Sequence, residues 1–202
     1  MRRILSGILI GLGILMILGA AGLLLYNQQE SEREASFSAR ILPKLSEEIQ
    51  ERAQHGAAET LPLEDDPRTG PREMTVCTID GWDYIGVFSI PSISYDAPIL
   101  ADWSLEKLAV SACRFHGSTF AGNLVLCAHN YNSLYRRLGK LKTGDEVLFT
   151  DMDGLIWTYE VADLEVLEPD MVTEMNDSGY DLTFFTCTYG GQARLTLRCV
   201  RS

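Results

Sequence analysis

The chain has 202 residues, a formal net charge of -11 and 46% hydrophobic residues. That length allows one full-sized domain plus an appendage. The acidic balance excludes non-specific nucleic-acid binding, which needs a basic surface, so no nucleic-acid partner is expected.

Residues 1–3, Met-Arg-Arg, form a short stub. From Ile4 to Tyr26 there is no charge, and most residues are Ile, Leu, Gly or Ala. About 20 apolar residues span a bilayer as a helix, so residues 4–26 are predicted to be a transmembrane helix. Arg2 and Arg3 precede the run, and Glu30, Glu32 and Arg33 follow it. The positive-inside rule then puts the N-terminus in the cytoplasm and everything after residue 27 outside. A cleaved signal peptide would use Gly19-Ala20-Ala21-Gly22 as its small-residue site. Leu23-Leu24-Leu25-Tyr26 continues the apolar run past that site, which favours an uncleaved signal anchor. The expected product is a single-pass plasma-membrane protein with an extracellular domain.

Residues 27–72 are polar and poor in aromatics, and read as a linker. Leu45, Ile49 and Ala53 recur at helical spacing just after Pro43, which predicts a short amphipathic helix over 44–54. That helix either belongs to a stalk or packs on the domain. From His55 to Pro71 the chain holds Gly, Pro and acids without periodicity, as a flexible tether does.

Residues 73–202 change to short β runs. Trp82 to Ile90 reads as a strand that stops at Pro91, and Ile93 to Leu100 holds another whose end Pro98 weakens. Ser104 is placed to cap one or two helical turns over 104–110. Ala112 to His116 and Asn123 to Ala128 flank a Gly-rich loop. Glu146 to Thr150, Leu155 to Leu167 and Asp181 to Thr186 follow, with Asp151-Met152-Asp153-Gly154 as a hairpin turn. Short strands at this density, with little helix, predict an all-β barrel or sandwich.

The last two runs carry chemistry. Thr183-Phe184-Phe185-Thr186-Cys187 and Arg194-Leu195-Thr196-Leu197-Arg198-Cys199-Val200 are joined through Gly190-Gly191, as in a β-hairpin. With the two glycines as the turn, Tyr189 pairs with Gln192 and Cys187 lies across from Arg194. Cross-strand partners share a face with Cβ atoms about 4.5–5.5 Å apart. A guanidinium so close favours the nucleophilic thiolate form and could neutralise an oxyanion. A cysteine at a strand end is otherwise ordinary core. A third group, His129, ends the apolar run Leu124-Val125-Leu126-Cys127-Ala128. A cysteine nucleophile wants an imidazole for proton transfer and an electrostatic partner for the oxyanion. Cys187, His129 and Arg194 supply that set.

These residues resemble the sortase family of membrane-anchored cysteine transpeptidases of Gram-positive surfaces. Ile85-Gly86-Val87-Phe88-Ser89-Ile90-Pro91-Ser92-Ile93, with Pro98-Ile99 beyond, is similar to the family's first strands. Cys127-Ala128-His129-Asn130 stands where the family has Gly-His. Thr183-Phe184-Phe185-Thr186-Cys187 matches its Thr-Leu-x-Thr-Cys signature, with Phe184 in place of Leu. Arg194 stands where the family's arginine opens the last strand. Arg198 competes for that role, but hairpin pairing sets it opposite Thr183.

The resemblance implies a closed eight-stranded β-barrel with short helices. It implies a Cys187 nucleophile, a His129 general acid/base and an Arg194 oxyanion stabiliser, with Thr186 touching substrate. The reaction implied is cleavage of an LPxTG-like sorting signal through a thioacyl enzyme and transfer to an amine. The partners implied are surface proteins bearing a C-terminal sorting signal and a peptidoglycan-precursor or pilin amine; no cofactor is expected. Because no second apolar segment follows Val200, a general anchoring or sporulation-type enzyme is expected rather than a pilin polymerase. A cysteine hydrolase (thiol protease) with the same triad, or a non-catalytic wall- or peptide-binding barrel, are the competing functions.

Cys77, Cys113, Cys127 and Cys199 remain. An extracellular site permits disulfides, and Cys113 and Cys127 flank one loop. Their apolar neighbours favour buried thiols instead. Cys127, His129 and Cys187 match no zinc-ligand spacing, so no metal is expected. His116 reads as structural or groove-lining.

Overall fold

The computed structural model describes residues 2–56, 72–131 and 134–202. The β runs become nine strands: β1 (Cys77–Ile79), β2 (Trp82–Ile90), β3 (Tyr95–Leu100), β4 (Ala112–His116), β5 (Leu124–Ala128), β6 (Glu146–Asp151), β7 (Ile156–Leu167), β8 (Leu182–Cys187) and β9 (Arg194–Arg201). Their order in the sheet is β1-β2-β3-β4-β5-β8-β9-β7-β6, and β2 also pairs with β6. That last pairing closes β2 to β9 into an eight-stranded barrel, with β1 added outside it. Closure removes the free edges that an open sheet would expose. Gly86 lies on the closing seam with φ +151, and any Cβ there would strike the Thr150 carbonyl oxygen. Only glycine permits that approach.

Alternate residues of each strand fill the barrel. Phe88, Phe149, Trp157, Tyr159, Phe184 and Leu197 are all essentially inaccessible. Phe88 and Phe184 pack as a tilted pair with centroids 4.7 Å apart. Burying a side chain of this size stabilises by about 2 kcal/mol. Asp151 is buried too. It accepts hydrogen bonds from Trp157 Nε1 at 2.8 Å and from the Leu155 and Asp153 amides at 2.9 and 3.0 Å, which closes the Asp-Met-Asp-Gly turn.

Among the described residues four α-helices accompany the barrel: α1 (Arg2–Gly56), α2 (Leu105–Leu108), α3 (Leu134–Leu138) and α4 (Val172–Asn176). Ser104 Oγ caps α2 by accepting from the Lys107 amide at 3.1 Å. α1 differs from the linker expectation, because helix runs without a break from the apolar segment through Pro43 to Gly56. Its partner is non-local. Phe37, Ile41, Leu45 and Ile49 stand four apart and are buried together with Tyr84, Leu100, Cys113 and Met152 of the barrel's outer face. Phe37 meets Trp82 edge-on at 6.3 Å, and Lys44 Nζ reaches Asp80 at 2.7 Å. Gly154 has φ +80, and a Cβ there would lie 2.7 Å from Ala53 Cβ, so α1 and the β6–β7 turn touch closely. Of the tether expected over His55 to Pro71, His55 and Gly56 end the helix and the rest lies outside the described residues. Among the described residues, one helix is long and apolar enough to cross a membrane, and residues such as Leu15, Ile17 and Leu24 are exposed along it.

Candidate active site

Three neighbouring strands carry the expected groups. β5 and β8 run parallel, with Leu124 opposite Leu182 and Ala128 opposite Thr186. One step further along that register sets His129 beside Cys187. β8 and β9 run antiparallel, and Cys187 is paired with Arg194. The connection is wider than a two-residue turn. The strands part after Cys187, the Thr188 amide donates to Ala193 O at 2.9 Å, and a 3-10 turn over Tyr189–Gly191 closes the loop. Gly190 and Gly191 take φ +81 and +71, which suits glycine. The pairing of Cys187 with Arg194 survives because the strand register does not depend on the loop.

Cys187, His129 and Arg194 line one cavity of about 430 Å³. Its wall is mostly apolar, from Trp103, Phe115, Val172, Met175 and Phe185. Phe115 packs on Trp103 and on Phe185 at 5.4 and 5.3 Å. These residues come from β4, β8, α4 and the segment before α2, so nothing local in the sequence marked them as a wall. Phe185 and Cys187 alternate outward on β8, whereas Phe184 points into the barrel.

Thr186 is where the substrate-contact expectation meets that alternation. It is completely buried on the inward face, its Oγ1 has no hydrogen-bond partner among the described residues, and it does not line the cavity. His116 ends β4 exposed and also lies off the cavity.

His129 is half-buried, and its ring lies 5.0 Å from that of Tyr131. Burial lowers its pKa below the usual imidazole value, with Glu30 pulling weakly the other way. A neutral imidazole at neutral pH can take a proton as well as give one. The chain turns away after it because Asn130 Oδ1 accepts from the Tyr135 amide at 2.8 Å, which holds the start of α3.

Arg194 Nη1 donates to Gly191 O and Ala193 O at 3.0 and 3.2 Å, which holds the half-buried side chain at the cavity. Arg198 is different. It faces Thr183 as the pairing predicts, is 2% exposed, and is fully engaged. Its Nε meets Glu165 at 2.7 Å, Nη1 donates to Thr183 Oγ1 at 2.9 Å, and Nη2 donates to Glu174 O at 2.8 Å. Arg198 fastens α4 to the barrel and does not reach the cavity.

All five cysteines are free thiols. Cys113 and Cys127 stand directly opposite on β4 and β5. Burial pushes the Cys113 and Cys199 thiols up to about 12 and raises Cys127 as well. Cys187 is the least buried of the five. Cys127 shares its cavity, on the same face of the sheet. Among the described residues, no three His, Cys, Asp or Glu side chains group as metal ligands.

A family model for the sortase domain matches residues 88–202, more than half of the chain. Sortase A of Bacillus anthracis is 28% identical over 121 residues, a match that spans 57% of this chain and 57% of that relative. The chain therefore covers little more than half the length of this curated relative. The type I crystal structure of Streptococcus agalactiae sortase C1 aligns with a TM-score of 0.52 and 29% identity over 59% of this chain and 69% of that one. Sortase C1 from Streptococcus suis gives 0.51 and 28% over 59% and 73%. A Clostridium perfringens sortase D5 transpeptidase covers 85% of this chain and 99% of its own at a TM-score of 0.55; at 19% identity that is a likeness of fold alone. With the family model matched from β2 to the last residue, and with the same closed barrel, this chain belongs to the sortase family.

Proposed function

We propose that the chain is a membrane-anchored cysteine transpeptidase, with α1 as a single-pass anchor and the barrel outside the cell. The observation that carries this reading is the meeting of Cys187, His129 and Arg194 in one cleft. Cys187 gives its proton to His129 and its sulfur attacks the Thr carbonyl carbon, at the peptide bond after the Thr of an LPxTG-like sorting signal. The apolar wall of Trp103, Phe115 and Val172 suits the Leu-Pro end of such a signal. Arg194 faces the oxygen on which negative charge develops. The tetrahedral intermediate collapses, the C–N bond breaks, and the His129 imidazolium protonates the leaving amine. The thioacyl enzyme then passes its acyl group to an amine of a peptidoglycan precursor or a pilin. A shared membrane raises the effective concentration of enzyme and tethered substrate.

The test incubates the full chain in nanodiscs with an LPxTG-type peptide and a primary amine, followed by mass spectrometry. A thioacyl adduct on Cys187 and an amide product are expected, and Cys187→Ala abolishes both. Acid product alone indicates a hydrolase, and no adduct indicates a binding barrel. Cleavage that persists in Cys187→Ala removes Cys187 as nucleophile.

A further inference from the structure

The segment after His129 carries a charge that the rest of the chain does not share. Residues 130–144 hold Arg136, Arg137, Lys140 and Lys142 and no acid, in a chain of net charge -11. Leu134, Leu138 and Leu141 are buried in the barrel core, so this segment plugs one end of the barrel. Arg137 fastens the plug. Its guanidinium donates to Ile93 O and Ser94 O, both at 2.7 Å, and lies over the Tyr95 ring. Arg136, Lys140 and Lys142 are exposed, on the side away from the buried leucines. None of the three forms an ion pair with a described residue. Asp145, the next acid in the chain, accepts the Lys142 amide at 2.9 Å and not its ammonium.

The plugged end is the one that faces the membrane. Ile93 and Ser94 belong to the turn between β2 and β3, where Ile90 pairs with Tyr95. α1 passes this end at Glu34, which lines one cavity with Ser94, Tyr131, Leu134 and Arg137. The apolar run of α1 ends at Tyr26, eight residues before Glu34. At 1.5 Å per residue that is about 12 Å. The headgroup layer of a bilayer fills about 5–7 Å of this gap. A long Lys or Arg side chain that carries its charge at its tip spans the remainder.

We infer that Arg136, Lys140 and Lys142 form a docking surface for the bilayer itself, and that they bind the anionic headgroups of phospholipids such as phosphatidylglycerol. This rests on α1 being the membrane anchor, as in the reading above. Each Lys or Arg near an anionic membrane surface favours the bound state about fivefold, so three together favour docking about 100-fold over a neutral bilayer. The surface is continuous with the membrane span of α1, so its partner is at hand as soon as the chain is inserted. His129 lines the same cavity as Ser94 and Tyr131, so the docked end of the barrel is also its reactive end. Docking fixes the tilt of the barrel and holds His129 and Cys187 close to headgroup height, where a membrane-tethered substrate is found.

The test places one copy of the full chain in each nanodisc, made of phosphatidylcholine alone or mixed equally with phosphatidylglycerol. An uncharged acetylating reagent labels the lysines. Mass spectrometry reads the rates at Lys140 and Lys142 relative to Lys44, which is 46% exposed and lies further from the membrane on α1. In the anionic discs both are expected to react at least tenfold more slowly than in the neutral ones. Salt at 1 M, which shortens the Debye length to about 3 Å, is expected to restore the neutral-disc rate. Arg136→Gln with Lys140→Gln removes two of the three cations, and Lys142 is then expected to react within about threefold of its neutral-disc rate. If that variant has a lowered Tm, the salt arm decides. Equal rates in the two lipids, or protection that survives 1 M salt or the folded double variant, overturn the docking surface alone. Protection that appears in neutral discs and only with two copies per disc means that a second chain covers the patch, and overturns it as well. A chain that does not insert into nanodiscs overturns the anchor reading and this inference together.

Discussion

Two arginines four residues apart on β9 are expected to fail in different ways. Arg198 has a 3% exposed side chain and binds Glu165, Thr183 Oγ1, Glu174 O and Met175 O. Arg198→Ala leaves one hydroxyl and two carbonyls without their donor, while Glu165, at 37% exposed, rehydrates. At about 1 kcal/mol for each neutral group left unpaired, the loss is about 3 kcal/mol. For a domain of this size that lowers Tm by about 10 °C. Arg194→Ala breaks two bonds to carbonyls of an accessible loop, which water replaces, and costs under about 1 kcal/mol. Its effect is instead on rate: losing a group that stabilises the oxyanion slows adduct formation about 100- to 1,000-fold. Thermal unfolding of both variants in nanodiscs, with stopped-time mass spectrometry of the Cys187 adduct, separates the two effects. If Arg198→Ala keeps the parent Tm but forms no adduct, and Arg194→Ala forms adduct at the parent rate, the assignment of the two residues is reversed and the reasoning fails.

Burial lowers the His129 pKa, so the neutral ring persists below the ordinary value of about 6.5. The acid limb of amine transfer is therefore expected below pH 6.5, and a limb at or above that pH contradicts the assignment. The same shift makes folding stability fall as pH drops through the window between the ordinary and the lowered value, because the unfolded chain binds the proton first. Leu45→Ala removes a fully buried side chain from the contact between α1 and the barrel. It is expected to cost about 3 kcal/mol, seen as a lower Tm and faster proteolysis within 27–56; unchanged proteolysis would mean that α1 is not held by this contact. Gly154→Ala meets Ala53 Cβ at 2.7 Å from a positive φ, and is expected to cost at least about 1 kcal/mol. Adding Ala53→Gly should recover part of that loss; no recovery would mean that backbone strain alone explains it.

The strands were legible because their signals are local. Trp82 to Ile90 is a β-rich run that ends at a proline, and β2 has those bounds. Hairpin pairing set Cys187 across from Arg194, although the turn proved wider than Gly-Gly, since a strand's register extends from its interior. The parallel pairing of β5 with β8, which sets His129 beside Cys187, has no local signal. Only the convergence of His129 with Cys187 and Arg194 was expected, from their residue types and the family resemblance. The course of α1 was half legible: Leu45 and Ile49 showed a helical period, but Phe37 and Ile41 lie before Pro43, in polar surroundings that resemble a tether. What keeps them helical is the outer face of the barrel, which composition does not show. The walls of the cleft were illegible for the same reason. Trp103, Phe115 and Met175 come together only when the sheet closes.

The loop from Thr188 to Ala193 is clipped at its base, where the Thr188 amide donates to Ala193 O and the Ala193 amide donates to Thr188 Oγ1 at 3.1 Å. Below that clip the sulfur and the guanidinium are already opposed by the ladder. The loop is therefore an interchangeable cassette. Segments of other lengths grafted between the same two clip residues reshape the rim, and with it which molecules gain entry, while the reactive pair beneath stays in place.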